Sequence, residues 1–202
     1  MSAVEKSATP AIGQAYGGGF VTGITRDPAT GERHLWITAG AAHELKGAWG
    51  EFGEKVDGAD SFTNSRANTE SMAAAGSELA KQVLALEIGG FTDWAIPARD
   101  VQELQYRHFK PTTEENWAGL RNGDNPHSEP VGLLYSEEDP KQTVHEAFRE
   151  GGAEAFRDTW YWSSSQRSAS YAFTMGFGDG DQTSYDETSE LRVRPVRSEV
   201  IQ

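Results

Sequence analysis

From Trp160 to Arg197 the chain reads as antiparallel sheet, and this stretch constrains the fold more than any other. Trp160-Tyr161-Trp162-Ser163-Ser164-Ser165 opens a strand. Ala169, Tyr171, Phe173, Met175 and Phe177 then alternate with Ser170, Ala172, Thr174 and Gly176. That period of two is what a strand produces when successive side chains point to opposite faces. Gly178-Asp179-Gly180-Asp181 supplies hairpin-turn chemistry. Leu191, Val193 and Val196 carry a last strand, with Arg192, Arg194 and Arg197 between them. The apolar set at 169–177 is expected to fill the core, leaving Ser170 and Thr174 outward.

The earlier chain must cover this sheet. Phe20-Val21-Thr22-Gly23-Ile24 and Arg33-His34-Leu35-Trp36-Ile37-Thr38 flank the turn residues Asp27-Pro28-Ala29-Thr30-Gly31, which predicts a first hairpin. Asn68 is expected to N-cap a helix in which Met72, Leu79, Val83 and Leu86 recur to about Ile88, where Gly89-Gly90 stops it. A second helix is predicted over 99–107, with Val101 and Leu104 inward and Pro97 just before its start. Residues 108–159 are different: polar, rich in Pro, Asn, Asp and Glu, with one short helix expected at 143–150. A long excursion with so little regular structure is either packed or a functional surface. Residues 1–12 read as a flexible arm or attachment segment ahead of a single domain over 13–202. The class is α+β.

Charge excludes partners more firmly than it names one. Lys and Arg total 18 against 31 Asp and Glu, a net of −13. Such a surface repels phosphate backbones and anionic lipid, so no nucleic-acid partner is expected. With no cysteine, thiol catalysis, thiolate metal sites and disulfide frameworks are closed. No run approaches the roughly 18 apolar residues of a membrane span, and MSAVEKSATPAIG lacks the apolar stretch of a signal peptide. Membrane insertion is not expected. If the chain works outside a cell, release by lysis with a particle is the expected route.

Gly17-Gly18-Gly19 lacks the Lys-Ser/Thr of a phosphate loop. Asp179, Asp181, Asp186 and Glu187 offer hard oxygens, but not the spacing of a calcium loop. The five histidines (34, 43, 108, 127 and 145) show no zinc-ligand spacing. Ser163-Ser164-Ser165 sits in no nucleophile elbow, and strand hydroxyls that satisfy nearby backbone are the simpler reading. No pair of carboxylates is set up for glycan hydrolysis. The chain is expected to carry no catalytic residue, no metal and no cofactor. Of the six tryptophans, Trp94 and Trp162 lie within framework motifs, whereas Trp117 in the polar segment is the best exposed candidate. The three arginines of the last strand are expected to pair with the acid-rich body.

Four motifs occur in a fixed order. They are Asn68-Thr69, then Asp93-Trp94-Ala95-Ile96-Pro97 with Glu103-Leu104, then Tyr161-Trp162-Ser163-Ser164-Ser165, then Val193-Arg194-Pro195-Val196-Arg197. Together they resemble the C-type-lectin-fold domain family of phage tail proteins and of the C-terminal domains of collagen-like bacterial adhesins. The segment from Glu115-Asn116-Trp117 to Phe156 is similar to the variant carried by tailed phages. Ala95 and Ile96 stand where a bulky aromatic and Leu are commoner in that family. The resemblance implies a C-type-lectin-like fold: N-terminal hairpin, two helices, long insertion, C-terminal antiparallel sheet. One enzyme branch of that fold, the formylglycine-generating type, depends on cysteines that this chain lacks.

The same resemblance implies a non-enzymatic virion protein, a tail-tip or tail-fibre adhesin that recognises a host surface glycan or an outer-membrane protein. Relatives diversified by a retroelement vary their final β-segment, here 165–192. Expected ligand contacts are therefore Gln166, Arg167, Ser170, Tyr171, Thr174, Asp179, Asp181, Gln182, Thr183 and Tyr185, with Trp117 from the insertion. Residues of these types are adaptable contacts, as in antibody loops. Three-fold symmetry is common among such adhesins, so a homotrimer is the expected assembly. The alternative is a structural virion subunit, such as a capsid decoration or fibre cap, that binds another phage protein.

Overall fold

The computed structural model describes residues 9–201. Residues 1–8 of the expected arm lie outside the described residues. By Gly13, whose N–H donates to Val21 O at 2.8 Å, the chain already belongs to the domain.

The strands and helices follow in the order β1 (Ala15–Tyr16), β2 (Gly19–Arg26), β3 (Arg33–Thr38), β4 (Leu45–Ala48), α1 (Ser65–Ala74), α2 (Glu78–Leu84), α3 (Arg99–Phe109), β5 (Ser128–Glu129), β6 (Trp160–Ser168), β7 (Tyr171–Gly176), β8 (Gln182–Asp186), β9 (Glu190–Val193) and β10 (Val196–Ile201). They build two five-stranded sheets. In one, β1-β2-β3-β10 run side by side with β5 against β2; in the other the order is β4-β9-β6-β7-β8. Pairing is antiparallel throughout except between β6 and β9, where Tyr161 faces Arg192 in parallel. The class is α+β. Among the described residues no helix is long and apolar enough to cross a membrane.

The first hairpin forms where expected, its turn held by Asp27 Oδ1, which accepts from the N–H groups of Ala29 and Thr30. The second expected helix is α3. The first is two helices. Gly76, at φ +108°, ends α1, and Ser77 Oγ accepts from Ala80 N–H to start α2. A stop residue followed by a cap outweighs a loose apolar period read across both. The N-cap of α1 is Asn64, whose Oδ1 accepts from Ala67 N–H at 3.0 Å, and Asn68 lies buried inside the helix. Only a 3₁₀ turn, Glu146–Phe148, forms within 143–150. The expected last strand is two strands in different sheets, parted at Arg194 and Pro195, because Pro195 has no N–H for a ladder.

Burial on β7 also departs from the expected alternation. Tyr171 is 45% exposed, whereas Thr174 is only 2% exposed. β7 is an interior strand, with β6 and β8 on its two sides; its Ala172–Thr174 face is covered, and the other face is covered only toward Met175. Ala172 packs with Trp49, Trp162, Met72, Leu79 and Val83, while Met175 packs with Tyr106, Tyr161 and Phe177. A strand covered on one face and at one end of the other loses the simple in–out rule.

The motif residues meet in one hydrogen-bonded knot. Ser163-Ser164-Ser165 forms a bulge in β6, between the pairs Trp162–Thr174 and Gln166–Ala172. Asn68 Nδ2 donates to Ser61 O at 2.7 Å and to Ser164 Oγ at 3.2 Å. Thr69 Oγ1 accepts from Ile96 N–H, Ser65 Oγ from Ala98 N–H, and Ser165 Oγ from Arg99 N–H. The hydroxyls of Ser163 and Ser165 satisfy backbone, as expected for strand serines, whereas that of Ser164 accepts from the Asn68 side chain. Trp94 and Trp162 are fully buried and donate their indole N–H to Phe91 O and Gly47 O. Arg192 and Arg194 both reach Glu44, and Arg197 reaches Asp93 and Glu199, so all three arginines pair with acids of the body.

Candidate functional site

The residues expected to contact a ligand are sorted by the fold into three groups. The first is buried. Gln166 Oε1 accepts from Val56 N–H at 2.9 Å, and its Nε2 donates to Glu54 O and to Glu187 Oε1. It is a clamp that fastens the 54–56 loop to the sheet. Thr174 lies opposite Trp162 on the covered face, and its Oγ1 has no hydrogen-bond partner. Neither residue can touch a ligand without the fold opening, so both expectations are corrected. Tyr185 is half-buried, packed on the α1–α2 core and 5.1 Å from Trp160 between ring centroids.

The second group lies on the face of β7 and β8 that carries Tyr171, Phe173, Gln182 and Ser184, since directly paired residues share a face. Arg167 is exposed and donates to Ser184 Oγ at 2.8 Å. Arg99, at the start of α3, donates to Gln182 Oε1 at 3.1 Å. Its guanidinium also lies over Phe62, 5.2 Å from the ring centroid, and 5.8 Å from that of Phe173. Phe62 and Phe173 meet edge to face at 5.5 Å. A strip from Phe62 through Arg99 and Gln182 to Arg167 and Tyr171 thus combines aromatic edges with forked donors on a rigid base. Phe62, Arg99 and Ser184 were absent from the expected set; only long-range folding brings residues 62 and 99 against β7. Ser170 is half-buried at the β6–β7 turn, where its carbonyl accepts from Glu187 N–H. Thr183 is half-buried on the opposite face, paired with Thr174.

The third group lies at the other end of β8. Trp117 N–H donates to Asp179 O at 2.8 Å. Asn122 joins the two segments: its Nδ2 donates to Trp117 O and to Asp181 Oδ1, and its Oδ1 accepts from Gln182 N–H. Gly180, at φ +76°, passes so close to Tyr106 that an added Cβ would sit 2.4 Å from its ring. The hairpin turn is therefore set tightly on α3. Trp117, Asp179 and Asp181 belong together, but β8 separates them from the Arg167–Tyr171 end by about 15 Å, the rise of a five-residue strand.

The insertion is packed rather than loose. Lys110 is buried, its Nζ donating to Asn116 Oδ1 at 2.8 Å and to Glu114 O. Asn125 donates to Asp100 O and to Glu103 Oε2, and Tyr135 OH donates to Glu103 Oε1. Burial pushes the Glu103 and Asp100 carboxyls above their usual range, although Arg107 and His127 oppose this. His127 Nδ1 lies 2.6 Å from Asp100 Oδ2. This dyad ties the insertion to the first turn of α3. Glu187, buried with its Oε2 unpartnered, is likewise shifted upward by burial. Asp179 and Asp181 lie at one end of β8 and Asp186 and Glu187 at the other, so the four do not converge. Among the described residues no three His, Asp or Glu side chains gather as a metal-ligand set.

No protein-family model matches the chain, and no curated protein matches it. The resemblance to C-type-lectin-like domains rests on the four ordered motifs and the segment from Glu115 to Phe156.

Proposed function

We propose that this chain is a non-enzymatic binding protein of a bacteriophage particle, a tail-tip or tail-fibre adhesin with a C-type-lectin-like fold. Its receptor, a bacterial surface glycan or an outer-membrane protein, is gripped by the strip that joins Arg167 and Tyr171 to Gln182, Arg99 and Phe62. One observation carries the reading. Exposed Arg167 follows directly on a side chain, Gln166, that is buried and held by three hydrogen bonds. Recognition of this kind needs variable outer groups on a frame that does not move. The aromatic edges suit sugar rings and apolar side chains alike, and the forked arginines suit carboxylates. Binding is tested by blocking adsorption: purified protein added to host cells is expected to compete with intact phage. The combined variant Arg167→Ala, Tyr171→Ala and Gln182→Ala, with unchanged far-UV circular dichroism, is expected to lose that competition. Full competition by the variant rejects the strip as the receptor surface.

A further inference from the structure

The insertion presents a second surface of opposite character. Trp117 is 56% exposed, Leu120 93%, Leu133 74% and Leu134 58%, in a segment otherwise dominated by polar residues. Two loops carry them, and the loops are fastened together. Tyr135 N–H donates to Asn122 O at 2.9 Å, and Arg107 Nη2 donates to both Gly123 O and Leu133 O. Gly123, at φ +83°, leaves no room for a side chain, since an added Cβ would sit 2.4 Å from the Tyr135 ring. Leu120 is the one non-glycine residue with positive φ, +53°, among the described residues. A bulky side chain in the left-handed region is uncommon, and such strain persists only where the surroundings impose it. Here the Asn122 clamp imposes it, and the effect is to hold a leucine almost entirely in water. Exposed apolar side chains held on two fastened loops point to an interaction site.

Charge selects its occupant. Residues 110–142 carry seven acidic residues against three basic ones, and Lys110 is buried. Glu115, Glu137 and Asp179 line the hollow of about 390 Å³ beside Trp117. The adjoining hollow, about 690 Å³, adds Glu114 and Asp158. A second copy of this chain would bring the same acidic rim, and anionic lipid or nucleic acid would be repelled. A neutral glycan could stack on Trp117, but it offers nothing to three aliphatic side chains. We infer that the ridge of Trp117, Leu120, Leu133 and Leu134 docks a protein segment whose apolar centre is flanked by Lys and Arg. Apolar anchors supply affinity, and the acidic rim supplies rate and register. This surface adjoins the Gln182 end of the receptor strip through the Asn122 bond to Gln182 N–H, but shares no side chain with it.

The probes are three short labelled peptides, one of leucine and lysine, one of serine and lysine with equal charge, and one of leucine and glutamate. Fluorescence anisotropy is read on the full chain. The leucine–lysine peptide is expected to bind at least about tenfold tighter than either control, and added salt should weaken it. Leu120→Ser, the safest variant because that side chain is almost wholly in water, should narrow the gap. Leu120→Ser with Leu133→Ser and Leu134→Ser should close it, leaving only the serine–lysine affinity. The Arg167, Tyr171 and Gln182 variant should bind the peptide normally, which keeps the two surfaces distinguishable. Equal affinity for the ridge variant and the native chain overturns the inference. So does leucine–glutamate binding of equal strength, self-association that the ridge variant abolishes, or ridge-dependent binding to anionic vesicles or an oligosaccharide panel.

Discussion

Arg194 Nη2 lies 2.9 Å from Glu44 Oε2, and both side chains are buried. Glu44 also receives Arg192 Nη1 at 2.7 Å and the Tyr161 hydroxyl at 2.8 Å, so one carboxylate ties the start of β4 to the end of β9 and to β6. Removing one member strands the other. Glu44→Leu is expected to destabilise the chain by about 3–5 kcal/mol, and Arg194→Met by a similar amount. The pair Glu44→Leu with Arg194→Met should recover part of this, giving a coupling of at least about 1 kcal/mol in a double-mutant cycle from urea denaturation. Additive losses would show that the pair contributes nothing as a pair.

Thr174 offers the opposite case. Its hydroxyl is buried without a partner beside Trp162, so the methyl of valine should fit better than the hydroxyl it replaces. Thr174→Val is expected to raise stability by about 1 kcal/mol, read as a rise in Tm, and to leave receptor competition unchanged. A loss of competition in a folded Thr174→Val protein would return this residue to the binding surface.

Asn68 is the centre of the motif knot. Its side chain bonds Ser61 on both N–H and carbonyl, and bonds Ser164 across to β6. Asn68→Ala leaves those buried groups unsatisfied and is expected to cost about 2–3 kcal/mol. Surface Asn64→Ala, which removes only the α1 cap, should cost about 1 kcal/mol. The ranking is checked by thermal denaturation of both variants, and equal losses would deny the knot its role.

His108 sets a pH dependence. Burial pushes its pKa down to about 4, while Nδ1 sits 2.6 Å from Thr22 O, the geometry of a neutral ring donating to a carbonyl. The unfolded chain takes up that proton near pH 6.5. The neutral ring's contribution is therefore complete above about pH 6.5 and is lost as pH falls toward about 4. His108→Gln should lose less stability than the native chain across that window. The raised carboxyls of Asp100, Glu103 and Glu187 act in the opposite sense, but they are common to both proteins and cancel in the difference. Parallel denaturation curves at pH 7, 5.5 and 4 would contradict the assignment.

Local chemistry alone determined much of this protein. The 27–31 turn, the α3 start after Pro97, the β6 opening at Trp160 and the Gly178-Asp179-Gly180-Asp181 hairpin each depend on neighbouring residues, so each was legible in the chain. So was the stop at Gly76-Ser77, although the apolar period read across it suggests one helix. Tertiary structure alone decided which side of β7 meets water. Trp162, Met72 and Leu79 cover the Ala172–Thr174 face, while Tyr106 covers the other face only at Met175, so Thr174 is buried and Tyr171 is not. Gln166 has the composition of a contact residue and the position of a clamp, because residues 54–56 arrive from more than a hundred positions away. Leu133 and Leu134 stand out as a pair in a polar segment, but their exposure follows from Arg107 and Tyr135 holding the backbone beneath them. A side chain's surroundings are a sum over distant partners, and alternation along one strand carries no information about them.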